Sequence, residues 1–420
     1  MNTFSAKDRD ILRALAETLA AIAALPIQRQ TADEWRRLNA LSAGRPLVWI
    51  NEIPWHEMDV NGELALQTTH PFCRGVETQL RQTIYQWQHL RGDMVVEDTF
   101  YSPLAIRDTG FGIDEDVDVI HQDPKGQGGI VSRTFHPQIK DERDLNKIKM
   151  PVLTHDQAQS EETFQTLRSI FGDILKVEKR GIIHSWFAPW DELIRWYGVE
   201  EAFVDMLERP QLVHQAVGRL VQAYLARLDQ WEALNVLSLP SGNNRVGSGG
   251  LGYADELPAP GFDSGRVRPA DQWGCATAQI FSDVSPEMQE TFALQYERRW
   301  LERFGLNYYG CCEPLHNKLD ILASVPRLRK ISMSHWADVD KAAPRLSGRY
   351  VYSYKPSPAV LATDTWNPSE ARQMLRAVLD KTRRSGCQVE IIMKDISTVR
   401  YEPQRLWQWA EIALEETRRR

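Results

Sequence analysis

Short apolar runs alternate with longer stretches of helical period over most of this chain. Residues 46–50 (PLVWI), 181–183, 236–239, 306–309, 330–333, 350–353 and 389–393 are brief apolar segments bounded by Gly, Pro or polar residues, the pattern of buried strands. Segments 74–90, 162–171, 210–234, 286–304, 368–384 and 403–419 carry apolar residues at helical spacing, and the first 45 residues read as N-terminal helices. Residues 93–140 break the alternation. Runs at 94–96 and 130–134 lie amid Gly and Asp without helical period, which predicts an inserted β-rich segment, partly a flap over one end of the fold. Repeated strand, loop and helix is the pattern of a mainly parallel α/β architecture. With roughly seven or eight such units, the expectation is a closed (β/α)8 TIM barrel, a single domain over residues 1–420.

Composition narrows the classes. Of 420 residues, 42% are hydrophobic, enough for one large core, and the net charge of -7 argues against a nucleic-acid or anionic-membrane surface. Lys7, Asp8, Arg9, Asp10, Arg13 and Glu17 stud the approach to the alanine-rich stretch 15–25, which suits an amphipathic surface helix and not a secretory leader. No apolar run is long enough to span a bilayer, so a cytoplasmic protein is expected. Five cysteines, an odd number, read as thiols or metal ligands and not as a disulfide framework.

In a barrel the chemistry sits where strands end at their C-terminal side. That rule selects 51–56, 184–190, 241–256, 310–313, 334–335, 354–355 and 394–395. The sharpest is Tyr308-Tyr309-Gly310-Cys311-Cys312-Glu313, where soft thiols and a carboxylate suit zinc. Adjacent cysteines in a strand point to opposite faces, so at most one of Cys311 and Cys312 is expected to ligate. Asp395 and His335, at two later strand ends, complete a candidate metal set of Cys312, Asp395, Glu313 and His335. Glu52, His56 and His184 are candidates to orient substrate or transfer protons. The run Gly247-Ser248-Gly249-Gly250-Leu251-Gly252 is not followed by a clean helix start, which disfavours nucleotide binding. It reads instead as a flexible active-site loop over 241–258, with Glu256 among the polar groups that would close over a substrate.

Three segments carry a resemblance: Tyr253-Ala254-Asp255-Glu256-Leu257-Pro258, Ala278-Gln279-Ile280-Phe281-Ser282-Asp283-Val284-Ser285-Pro286, and Gly310-Cys311-Cys312-Glu313-Pro314-Leu315. With them the chain resembles the uroporphyrinogen decarboxylase-like superfamily over most of its length, and within it a bacterial branch of corrinoid-associated methyltransferases. The superfamily also holds enzymes in which zinc activates a thiol, through a His-x-Cys after one strand, a Cys after the last, and in methionine synthase a Glu between. Carried onto this sequence, the first Cys falls on Cys312, the His on Gly310, the Glu on Ser334 beside His335, and the last Cys on Asp395. The decarboxylases themselves resemble this chain less. Their N-terminal strand loop is rich in Arg, where this one reads Asn51-Glu52-Ile53-Pro54-Trp55-His56, poorly suited to a polyanionic porphyrinogen.

The resemblance implies transfer of a methyl group between a small methylated compound and a corrinoid (cobalamin) held by a partner protein, with zinc as Lewis acid. The alternatives are a decarboxylase of the same superfamily acting on another substrate, and a non-catalytic subunit presenting substrate or corrinoid. A homodimer is compatible with the sequence.

Overall fold

The computed structural model describes residues 4–121 and 131–419. Part of the expected β run at 130–134, and of the flap, therefore lies outside the described residues. Among them are twelve strands: Leu47–Ile50 (β1), Thr99–Pro103 (β2), Ala105–Asp108 (β3), Val117–His121 (β4), Val131–Phe135 (β5), Leu153–Asp156 (β6), Lys176–Arg180 (β7), Trp273–Ala276 (β8), Leu306–Tyr309 (β9), Leu328–Ser334 (β10), Val351–Lys355 (β11) and Gln388–Met393 (β12). Six form one sheet in the order β1-β12-β11-β10-β9-β8, with every pairing parallel. The others pair in twos. β2 lies parallel to β7, and β3 with β6 and β4 with β5 are antiparallel.

The large sheet has two chemically different faces, set by the two-residue period of a strand. Ile331 and Met333 of β10, Tyr352 and Tyr354 of β11, and Val389, Ile391 and Met393 of β12 belong to the main apolar core that also takes in the helices. The alternate residues, Lys330, Ser332 and Ser334, Ser353 and Lys355, and Glu390 and Lys394, are equally buried but polar. They therefore face the other way.

That second face is capped by the helix Pro26–Asn39, which opens with Pro in its first turn, where the missing N–H costs nothing. Its fully buried Trp35 donates from Nε1 to the Asp93 carbonyl at 2.7 Å and packs with Leu47, Leu251, Tyr253 and Val351. The N-terminal region is helical as expected, in Ala6–Ala23 and Pro26–Asn39. Residues 236–239 do not form a strand but a single parallel bridge, Ile182 with Leu237. The sequence pattern missed Trp273–Ala276, and also the helices Pro189–Tyr197 and Val199–Glu208. Among the described residues, no helix is long and apolar enough to cross a membrane.

Candidate functional site

β9 ends at Tyr309 because Gly310 adopts φ +96°, a conformation open to glycine and strained for other residues. A Cβ there would lie 2.5 Å from Leu315 and 2.9 Å from Ser332. Cys311 and Cys312 are consequently not strand residues, and the strand alternation expected to separate them does not apply. Their sulfurs are 3.5 Å apart. Glu313 holds this turn: it is buried, accepts from the Cys311 N–H at 2.8 Å and from the Thr277 hydroxyl at 2.8 Å.

The end of β12 meets the two thiols. Lys394 places its Nζ 3.6 Å from Cys311 Sγ, 3.5 Å from Cys312 Sγ, 2.5 Å from Asp395 Oδ2 and 3.7 Å from Glu52 Oε2. Cys312 Sγ donates to Asp395 Oδ2 at 3.1 Å. Glu52, just past β1, accepts from the Asp395 N–H at 3.0 Å and from Arg245 at 2.7 Å. Burial works against the Lys394 ammonium, but the charges of Cys311, Cys312, Glu52 and Asp395 outweigh it and raise its pKa. The hydrogen bond from Cys312, with help from Lys394, lowers the pKa of the Cys311 thiol, while the same bond and burial raise that of Cys312. Of the two thiols, Cys311 is thus the more acidic.

The polar sheet face continues inward from this cluster. Lys355 reaches the Tyr308 hydroxyl and Ser353 Oγ, the latter at 2.8 Å, and burial brings its pKa down to about 7. Several buried polar atoms on or just past the strands have no hydrogen-bond partner among the described residues: both amide atoms of Asn51, Trp49 Nε1 and Ser334 Oγ. Beside them is a pocket of about 390 Å³ lined by Trp49, Asn51, Glu52 and Trp55 on one side and Gln82 and Gln86 on the other.

The remaining expected site residues are placed elsewhere. His335 is exposed, its ring tilted against that of Trp336 at a centroid distance of 4.4 Å. His56 lies 3.6 Å from Glu57 and edge-on to Tyr401. Glu256 pairs with Arg329 at 2.8 Å, beside the start of β10 and so at the opposite end of the strand from Ser334. His184 is buried. Its Nε2 accepts from the Gly247 N–H at 3.0 Å, its Nδ1 faces the Trp273 carbonyl at 3.4 Å, and burial lowers its pKa to about 4.

That bond anchors a segment expected to be a flexible loop, and the structure corrects the expectation. Residues 246–253 are all buried. Gly249 N–H donates to the Val246 carbonyl at 2.9 Å, and Ser248 Oγ contacts the Tyr308 hydroxyl at 3.0 Å. A Cβ on Gly249 would fall 2.5 Å from Glu390 Oε1 and 2.6 Å from the Tyr308 ring. The glycines allow the backbone to pack against the polar sheet face, where no side chain would fit.

The expected metal set does not assemble in this arrangement. Cys312 and Asp395 do approach each other, but the Lys394 ammonium contacts both of them, Glu313 is taken up by the Cys311 N–H and the Thr277 hydroxyl, and His335 is exposed. Among the described residues, no group of three or more His, Cys, Asp and Glu is placed to hold a metal ion.

No family model matches the chain, and no curated protein sequence matches it. Among solved structures, its fold is similar to that of a methyltransferase from Methanosarcina mazei. The TM-score is 0.51 at 11% identity, covering 92% of this chain and 98% of the other. At that identity the likeness is one of fold: nearly the whole chain follows the mixed α/β fold of a methyltransferase.

Proposed function

We propose that this chain is a methyltransferase of the uroporphyrinogen decarboxylase-like kind, moving a methyl group between a small methylated compound and a corrinoid carried by a partner protein. A closed barrel is part of this reading. Hydrogen bonds that support it run outward from both edges of the sheet: the Asp93 N–H to the Val48 carbonyl at 2.8 Å on the β1 side, and the Gln272 side-chain Nε2 to the Ile182 and Ser238 carbonyls at 2.7 and 2.8 Å beside β8.

The observation that carries the proposal is Lys394, a cation held at a strand end against two thiols and a carboxylate. As a methyl group departs, its heteroatom gains negative charge. A fixed ammonium beside that atom stabilises the charge without reorganising, and can deliver a proton to it. Glu52 and Asp395 hold the ammonium in place. Asn51 and Ser334, with unmet hydrogen-bonding capacity at the ends of β1 and β10, would orient the rest of the substrate. The Lys394 ammonium already engages the thiols and carboxylate that a zinc ion would need, and this reading routes no step through a metal.

The test uses cob(I)alamin with a panel of methyl thioethers, methylamines and methyl ethers, following the spectrum of methylcob(III)alamin. At least one donor should convert with the wild-type protein. Lys394→Met should lower the rate by about 10²–10⁴-fold, the usual range for a proton donor, with unchanged circular dichroism. Equal rates for the two proteins would remove Lys394 from the chemistry.

A further inference from the structure

We propose that Cys311 and Cys312 form a redox-active vicinal dithiol, which hydrogen peroxide closes to a disulfide and small dithiols reopen. Four observations converge on the pair. The sulfurs already face each other at 3.5 Å, because Gly310 ends the strand before the cysteines begin. Cys312 is exposed, so an oxidant can reach it, whereas Cys73 and Cys275 are buried. Lys394 stands within 3.6 Å of both sulfurs, the electropositive setting in which thiols react fastest. Cys387 is instead bonded to the Ala343 carbonyl at 3.1 Å.

The chemistry balances with the peroxide as sole oxidant. One sulfur of the pair attacks the peroxide as a thiolate, the O–O bond breaks, and a sulfenic acid and one water result. The other sulfur then displaces the hydroxyl as a second water, forming the S–S bond. Two thiol protons leave in the waters, and two electrons pass from sulfur to oxygen. Adjacent residues have Cα atoms about 3.8 Å apart, closer than the roughly 4.4–6.8 Å that disulfides usually span, so the closed form is strained and easily reduced. Such bonds belong to the labile class and not the structural one. This inference stands apart from methyl transfer, since its readout is the mass of one peptide.

The experiment treats the native protein with hydrogen peroxide, blocks remaining thiols with iodoacetamide, and analyses the peptide containing both cysteines. The expected product has lost two hydrogens, carries no alkyl group, and regains both labels after dithiothreitol. Phenylarsine oxide, which condenses with two thiols and releases water, should bind one equivalent and prevent the loss. Cys312→Ser and, separately, Cys311→Ala should each abolish arsenical binding and disulfide formation, while Cys73, Cys275 and Cys387 stay alkylatable on denaturation. Sulfinic acid at Cys312 without a disulfide, or a disulfide between two molecules, would overturn the proposal.

Discussion

Lys330 and Glu390 face each other at 2.8 Å across the intervening strand β11, and neither side chain is exposed to solvent. The pair is fully bonded: Ser353 Oγ donates to Glu390 at 2.6 Å, and Lys330 also reaches the Leu251 carbonyl at 3.2 Å. It ties β10 to β12 and both to the glycine-rich segment. Removing one partner of such a pair leaves a buried charge uncompensated, at a cost of about 3–5 kcal/mol. Lys330→Met and Glu390→Met should each lower the urea midpoint accordingly. The double variant should cost less than the sum of the two, because it leaves no lone charge of the pair. Additive losses would mean that the pair is not coupled.

The packing of residues 246–253 makes them part of the sheet's interior, not a lid. Gly249→Ala should destabilise by about 1–3 kcal/mol, the cost of overpacking a filled core. Gly75→Ala, in the helix Pro71–His89 with nothing within 4 Å of an added Cβ, should be neutral or stabilising. Hydrogen exchange gives an independent check: the Gly249 and Gly252 amides, bonded to the carbonyls of Val246 and Gly242, should exchange as slowly as those of β10. Fast exchange there, in an otherwise protected protein, would restore the loop reading.

These two cases show what the sequence made legible. Lys-Ile-Ser-Met-Ser at 330–334 and Val-Tyr-Ser-Tyr-Lys at 351–355 alternate polar and apolar residues, so the polar sheet face was written in the chain beside the apolar runs that marked the strands. Reading only the runs found the strands and missed the face. The thiol cluster was half legible. Strand ends selected Cys312, Asp395 and Glu52, but the turn at Gly310 that brings Cys311 to the same side depends on a backbone angle no periodicity encodes. The strand Trp273–Ala276 escaped because WGCA is short and carries Gly and Cys in place of β-branched residues. His335 and Glu256 looked like site residues from their neighbours in sequence; side-chain direction takes one to the surface and the other to the opposite strand end.

The position of Lys394 leads to a prediction about metals. An ammonium at 3.5 Å from Cys312 Sγ and 2.5 Å from Asp395 Oδ2 competes with a divalent cation for the same donors. Lys394→Met removes that competitor and leaves two thiols, Asp395 and Glu52 around the vacated volume. After equilibration with zinc and desalting, elemental analysis should find more zinc in the variant than in the wild-type protein. Cys312→Ser introduced into the variant should reverse the gain. A wild-type protein that retains one zinc per chain under the same treatment would show that the ammonium yields its place.

A buried carboxyl gives the chain a pH dependence of unusual sign. Glu297 accepts from the Tyr309 hydroxyl at 2.7 Å, its other oxygen has no partner among the described residues, and Glu313 and Asp191 add negative charge nearby. Burial, reinforced by those carboxylates, raises its pKa from 4.5 to about 8, against the smaller opposing effects of Tyr309 and Arg298. The folded protein therefore keeps a proton on Glu297 over a range in which the unfolded chain has lost it. The stability this contributes is complete below pH 4.5 and declines as pH rises toward about 8, the reverse of a salt-bridged carboxylate. Glu297→Gln mimics the neutral form and preserves an acceptor for Tyr309. Its melting temperature should match the wild type at pH 5 and exceed it at pH 8.5, so that the difference grows across that interval. A constant difference at all pH values would show that Glu297 titrates alike in the folded and unfolded chain.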